Sequence, residues 1–348
     1  MMKVIGYAAL QEGDNLVPYS FERYDPHDYD VLIDIKYCGI CHTDIHQVNN
    51  DWGGSKYPMV PGHEITGIVS AIGPNVTRYK IGDKVGVGCF IDSCRNCDLC
   101  DKGHEQYCEY TNLTYNGLEK DGKTHTKGGY SNKIVVDEKY VLRMPDNIPL
   151  DKASPLLCAG ITLYSPLKYW KVDKGKKIAI IGFGGLGHIG VKLADKLGAE
   201  VTVLSHSLKK LEDAKKMGAD YFYDTSDPEV FDKLQGHFDL IINTVSNNID
   251  LDKYLNLLIV NGTMVIVGLP KDDVKVNAHS LVGSRRNLAG SVIGGIAETQ
   301  EMLDFCDQNN INCNIELIPI QKINEAYQKI LDSDVRYRFV IDMKSLEN

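Results

Sequence analysis

Apolar positions in this chain repeat in two different ways. Over residues 1–153 they come in short β-branched runs, such as 31–37, 64–71 and 133–136, separated by Gly, Pro and Asp. Runs of that length between turn formers predict a twisted, mainly antiparallel sheet whose loops are free to carry chemistry. From Lys177 onward, continuous apolar runs at 178–182, 201–205, 221–223, 240–245, 263–268 and 287–291 alternate with stretches of helical periodicity. Six strands separated by helices predict a doubly wound parallel sheet. Near the C-terminus Ile323, Ala326, Tyr327, Ile330 and Leu331 recur on one helical face, and an alternating strand is expected over 335–341. The expected architecture is α/β: a mainly β domain over 1–153, a doubly wound domain over 154–293, and a segment, 294–348, that returns to the first domain.

A length of 348 residues suits two domains, each able to bury its own core. The 47 acidic residues outnumber 38 basic ones, giving a formal charge of -9, and no Lys/Arg run forms a patch that would attract phosphate backbones. Nucleic acid is therefore not expected as a partner. No segment has the ~18 uninterrupted apolar residues of a membrane helix, and the N-terminal MMKVIGYAALQEGDN lacks the apolar core of a signal peptide. The ten cysteines are accordingly expected to be reduced thiols of a cytoplasmic protein, several of them holding metal.

Cys94, Cys97, Cys100 and Cys108 form a C-x2-C-x2-C-x7-C run inside a polar lobe, 89–110. Four thiolates with no open position suit a structural Zn²⁺, whereas an iron–sulfur cluster of the common bacterial type has a three-residue last gap followed by proline. Residues 178–190 read IAIIGFGGLGHIG, which puts Gly182, Gly184, Gly185 and Gly187 between a predicted strand and helix. In that setting the first glycine permits the tight turn, the second lets backbone approach a pyrophosphate, and the third allows helix and sheet to pack closely. The second strand ends in Ser205, with Ser207, Lys209 and Lys210 following, where NAD-binding sheets carry an acidic residue. Hydroxyls and positive charge fit the 2′-phosphate of NADP. The same lysines could equally be a solvated helix face.

A second metal set is possible. Cys41, His63 and Cys158 would give a Cys2His site with a fourth position open to water or substrate, the arrangement of a catalytic zinc. Taken singly, a buried Cys is often a small apolar filler and a lone His a hydrogen-bonded core residue. Spacing alone leaves both readings open.

The motifs taken together resemble those of the zinc-dependent medium-chain alcohol dehydrogenases: Cys-His-Thr-Asp at 41–44, Gly-His-Glu at 62–64, the four-cysteine lobe, Leu-Cys-Ala-Gly-Ile-Thr at 157–162 and the Gly-rich turn. Tyr-Pro-Met-Val-Pro-Gly-His-Glu at 57–64, Thr-Tyr-Asn-Gly at 114–117 and DVRYRFVID at 334–342 are similar to the cinnamyl alcohol dehydrogenase branch. The likeness spans nearly the whole chain. It implies a GroES-like catalytic domain, a Rossmann-type domain binding NADP, and two zinc ions per chain. It further implies Cys41, His63 and Cys158 as catalytic zinc ligands, and Glu64 as the acid beside the metal that can replace a departing ligand. Asp44 would orient His63, and Thr43 and His46 would relay the alcohol proton. His42, Thr162 and Leu186 would join the turn glycines at the cofactor. Trp52, Cys89, Leu113, Val292 and Ile293 would line the substrate pocket, with Leu113 standing where plant members carry tryptophan. The resemblance also implies a homodimer formed by edge pairing of the cofactor-domain sheets. The expected activity is interconversion of primary, cinnamyl-type alcohols and aldehydes, the alternative being a secondary alcohol or polyol dehydrogenase. From another class, the lobe could serve as an interaction module beside an idle dinucleotide fold.

Overall fold

The computed structural model describes residues 1–347. The chain divides into two compact units, Met1–Ile161 together with Gly294–Asn348, and Thr162–Ile293.

The first unit is built around strand Asp30–Gly39, whose run Val-Leu-Ile-Asp-Ile lies almost entirely out of solvent. Its backbone is paired throughout. Ile65–Ile72, Lys133–Asp137 and Arg338–Asp342 all pair with it antiparallel. The sheet runs Ile315–Pro319, Arg338–Asp342, Asp30–Gly39, Ile65–Ile72, Lys84–Val87, Leu142–Arg143, with one parallel pair at the Ile315–Pro319 edge. The C-terminal strand joins opposite Cys38 and Gly39, so the end of the chain is stitched in directly before Cys41. A hairpin, Met2–Ala8 with Val17–Arg23, lies outside this sheet. Its last residue, Arg23, is buried and donates to the carbonyls of Lys127, Gly128 and Lys133.

The first unit keeps the chain as far as Ile161, past the expected end at 153. Two hydroxyls hold that stretch in place: Thr66 donates to the Leu150 carbonyl and Ser154 to the Glu64 carbonyl. Two expectations near the C-terminus are corrected. The strand is Arg338–Asp342, with Arg338 to Ile341 all buried rather than alternating, and it lies inside the sheet between Ile315–Pro319 and Asp30–Gly39. Helix Ile323–Leu331 buries Ile323, Ala326, Tyr327 and Ile330, but Leu331, its last residue, is 51% exposed.

In the second unit the strands stand in the order Tyr221–Asp224, Glu200–Ser205, Lys177–Ile181, Phe238–Asn243, Leu258–Ile266, Asn287–Gly290, all parallel. Numbered within the unit this is 3-2-1-4-5-6, the doubly wound dinucleotide-binding order. The expected parallel sheet is therefore present. Its core gathers Ile181, Leu204, Phe238, Ile241, Leu255 and Met264, among others. Among the described residues, no helix is long and apolar enough to cross a membrane.

Candidate active site

Two groups of metal-binding side chains are found among the described residues, both in the first unit. In the lobe, Cys94, Cys97, Cys100 and Cys108 converge, with Cys94 Sγ and Cys97 Sγ 3.8 and 3.6 Å from Cys100 Sγ. Four sulfurs placed tetrahedrally at 2.3 Å from one zinc stand about 3.8 Å apart. The thiols thus fit that ion and fill its coordination. Ser93 Oγ lies 3.1 Å from Cys100 Sγ and 2.7 Å from the Tyr140 hydroxyl. Arg95 ties the lobe down through Asp92 and Asp137, at 2.7 and 2.8 Å.

The second group joins Cys41, His63, Glu64 and Cys158, with one ligand atom from each lying within 4.8 Å of every other. Cys41 Sγ and Cys158 Sγ are 3.9 Å apart, and His63 Nε2 is 3.3 Å from Cys158 Sγ. Local structure explains the convergence of residues so distant in sequence. Cys41 directly precedes helix His42–Val48 and follows the central strand. His63 follows Gly62, whose φ of 101° is left-handed and suits glycine. Cys158 ends the turn Ser154–Leu157 that Ser154 fastens to the Glu64 carbonyl. Two thiols and an imidazole could hold a zinc ion and would leave a position for the carboxylate or another oxygen ligand, unlike the four-thiol lobe.

The electrostatics of the group are set by burial. Glu64 is fully buried and forms an ion pair with Arg338, itself 6% exposed. Burial pushes the Glu64 carboxyl up to about 7, against the pull of the Arg338 guanidinium. A hydrogen bond from Cys158, assisted by His63, holds the Cys41 thiol well below its ordinary range. Asp44 has no exposed surface, and its carboxylate accepts from Cys41 N, Gly62 N, His63 Nδ1 and the Tyr130 hydroxyl, at 2.9, 3.1, 3.1 and 3.1 Å. With Nδ1–H donated to Asp44, His63 presents Nε2 to the metal position.

Thr43 and His46 sit one turn apart on helix His42–Val48. His46 Nδ1 is 2.9 Å from Asp51 Oδ2, and its ring packs on Trp52 at a centroid distance of 4.7 Å. Asp51 accepts the Nδ1 proton, which leaves Nε2 as the basic nitrogen. That Nε2 is buried and has no hydrogen-bond partner among the described residues. Burial lowers the pKa of His42, so it is held as a neutral imidazole.

Comparison with known proteins gives the family. Residues 27–146 match the family model of the alcohol dehydrogenase GroES-like domain and residues 185–308 that of the zinc-binding dehydrogenases. The chain is 57% identical over 350 residues to the NADP-dependent alcohol dehydrogenase C 1 of Mycolicibacterium smegmatis, covering 100% of each chain. The chain belongs to the zinc-dependent medium-chain alcohol dehydrogenases. Its branch is that of the cinnamyl alcohol dehydrogenases. The Sorghum bicolor cinnamyl alcohol dehydrogenase structure matches it at a TM-score of 0.96 and 42% identity, covering 99% of this chain and 98% of that one. The Helicobacter pylori CAD structure, complexed with NADP(H), matches at 0.93 and 44%, covering 98% of each.

In the second unit of this dehydrogenase, Gly182 directly follows the first strand at φ 87°, and a Cβ on Gly184 would meet nothing within 4 Å. A Cβ on Gly187 would run into the Gly182 carbonyl oxygen, so the third glycine is needed for helix Gly187–Leu197 to start where it does. Gly185 and Leu186 complete the turn, and Thr162 is buried at the unit's start. Ser205 is the last residue of its strand, Ser207 precedes the turn Leu208–Lys210, and Lys209 and Lys210 lie in that turn. Of the expected pocket residues, Trp52, Cys89 and Leu113 belong to the first unit, and the Cys89 carbonyl accepts from Thr114 N at 3.1 Å. Val292 and Ile293 belong to the second unit and close its chain. Asp51, Tyr130 and Arg338 are the site residues that sequence reasoning missed. Only Arg338 left a trace there, inside the DVRYRFVID motif.

Proposed function

We propose that this dehydrogenase interconverts primary, cinnamyl-type aromatic alcohols and their aldehydes with NADP(H), running mainly as an aldehyde reductase. The observation that carries the reading is the convergence of Cys41, His63, Glu64 and Cys158, with Thr43 and the carboxylate-paired His46 on the helix that starts directly after Cys41. Cys41, His63 and Cys158 would hold the catalytic zinc and leave the fourth position to the substrate oxygen. When bound there, zinc polarises that oxygen as a Lewis acid.

The chain's own residues would do the rest. The Thr43 hydroxyl takes the alcohol proton and passes it toward His46. His46 accepts it at Nε2, and Asp51, which holds Nδ1–H at 2.9 Å, stabilises the imidazolium that forms. Trp52 against the ring restricts its rotation. Gly182, Gly184, Gly185, Leu186 and Gly187 would receive the pyrophosphate at the N-terminus of helix Gly187–Leu197, with Thr162 contributing. Ser205, Ser207, Lys209 and Lys210 would bind the ribose 2′-phosphate. The NADP-dependence in the name of the Mycolicibacterium smegmatis relative, and the NADP(H) in the Helicobacter pylori complex, support that cofactor. Trp52, Cys89 and Leu113 would form the first unit's share of the substrate wall.

The protein would act in the cytoplasm as a homodimer, pairing through the edge strand Asn287–Gly290. Support for that pairing is the position of Asn287–Gly290 at the edge of its sheet, with one side paired to Leu258–Ile266. Light scattering should then give twice the 38.8 kDa of one chain. The deciding experiment is the initial rate of cinnamaldehyde reduction with NADPH and NADH in parallel, on protein carrying two zinc ions per chain. Fast turnover with NADPH alone is expected. No reduction with either nucleotide would overturn the substrate class and redirect the search to secondary alcohols and polyols.

A further inference from the structure

We propose that Tyr130 is a positioning residue for the catalytic metal, acting through Asp44 on His63. This rests on the ligand set proposed above and extends it by one residue. Tyr130 is fully buried and donates its phenol to Asp44 Oδ2 at 3.1 Å, while Asp44 Oδ1 receives His63 Nδ1 at 3.1 Å. A phenol, a carboxylate and an imidazole, all buried, thus run in series to the metal position. Asp44 is a buried anion, and each donor removed from it leaves charge uncompensated and the carboxylate freer to turn.

Tyr130 is held unusually firmly for a loop residue. Its N–H donates to the Pro61 carbonyl at 3.0 Å, and its own carbonyl accepts from Tyr7 N at 2.9 Å. Gly128 N–H and Gly129 N–H, on the same stretch, donate to the carbonyls of Val60 and Gly62 at 2.7 and 2.9 Å. The segment that carries His63 is therefore clamped by the segment that carries Tyr130. The ring also fills the space beside Gly62: a Cβ there would stand 2.7 Å from Tyr130 Cδ1. Gly62 N–H is itself a donor to Asp44, at 3.1 Å. Burial, and then the Asp44 charge, raise the Tyr130 pKa well above its ordinary value, so the hydroxyl stays a donor. Tyr130→Phe keeps the ring and removes only that donor.

The test uses the full-length holoenzyme and follows release of zinc to a chromophoric chelator, alongside the visible spectrum of the cobalt-substituted enzyme. Wild-type protein should release two equivalents per chain in two phases; a single equivalent would instead overturn the ligand set on which the inference rests. In Tyr130→Phe one equivalent should leave on the order of tenfold faster, the other at the wild-type rate, and the cobalt d–d bands of the catalytic site should shift. In an Asp44→Asn background, Tyr130→Phe should add little, since the two act in series. Wild-type release with an unchanged cobalt spectrum, equal acceleration of both equivalents, or full additivity with Asp44→Asn would overturn it. If Asp44→Asn does not fold, the release phases and cobalt spectrum of Tyr130→Phe decide the matter alone.

Discussion

At Ser205 the second strand of the nucleotide-binding sheet ends in a hydroxyl, where a carboxylate would bond the ribose of NAD and repel the 2′-phosphate of NADP. Ser205→Asp should therefore lower kcat/KM for NADPH and raise it for NADH, reversing or erasing the preference. An unchanged ratio would mean that Ser207, Lys209 and Lys210 read the phosphate without it. Asp51 poses the complementary question on the proton path. Its carboxylate faces the His46 Nδ1–H at 2.9 Å, and an amide there cannot offset the positive charge the ring acquires. Asp51→Asn should reduce kcat by on the order of a hundredfold with NADPH affinity unchanged. Fluorescence titration of the nucleotide and stopped-flow hydride transfer would separate the two effects.

Among elements, the four-cysteine lobe has the least structure of its own. Its helical turns, Asp98–Asp101 and Glu105–Tyr107, bury no side chain, so the metal substitutes for a core. Cys97→Ser should lose one zinc per chain and lower the unfolding temperature. The protein that remains folded should keep its turnover per chain, because the set proposed as catalytic shares no residue with the lobe. A mutant that loses turnover in proportion to the missing lobe zinc would contradict this. The lobe is legible from sequence because its ligands lie within one short loop. The strand-turn-helix at residues 177–197 is legible for a similar reason: strand, glycines and helix follow each other directly. Helix Ile323–Leu331 shows where periodicity stops informing. Leu331 has the right spacing for the buried face, yet it lies in the last turn, where the chain leaves the core. The hairpin Met2–Ala8 with Val17–Arg23 was not anticipated either. Its burial alternates, with Val4, Gly6 and Ala8 inward on one strand and Phe21 and Arg23 on the other, but Gly, Ala and Arg at inward positions hide that period in the sequence.

For the whole molecule, the first unit is made from both ends of the chain, and its least legible contacts are those that topology alone brings together. Tyr130 reaches Asp44 across 86 positions and Arg338 reaches Glu64 across 274. Nothing in the spacing of those residues announces the pairs. The Glu64–Arg338 pair joins the C-terminal strand to the segment carrying His63, with both side chains out of solvent. Removing one partner of such a pair leaves a buried ion without compensation, at a cost of about 3–5 kcal/mol, whereas removing both together costs far less. Arg338→Met should accordingly lower stability by about 3 kcal/mol or more in equilibrium denaturation. Glu64→Gln with Arg338→Met should recover a large part of that loss, giving a strongly non-additive double-mutant cycle. If Arg338→Met unfolds at the wild-type midpoint, the pair contributes nothing to holding the two ends together, and pairing of strands Arg338–Asp342 and Asp30–Gly39 closes the unit by itself. If the double variant is as unstable as the single, the loss comes from packing around the Arg338 side chain and not from an unpaired Glu64.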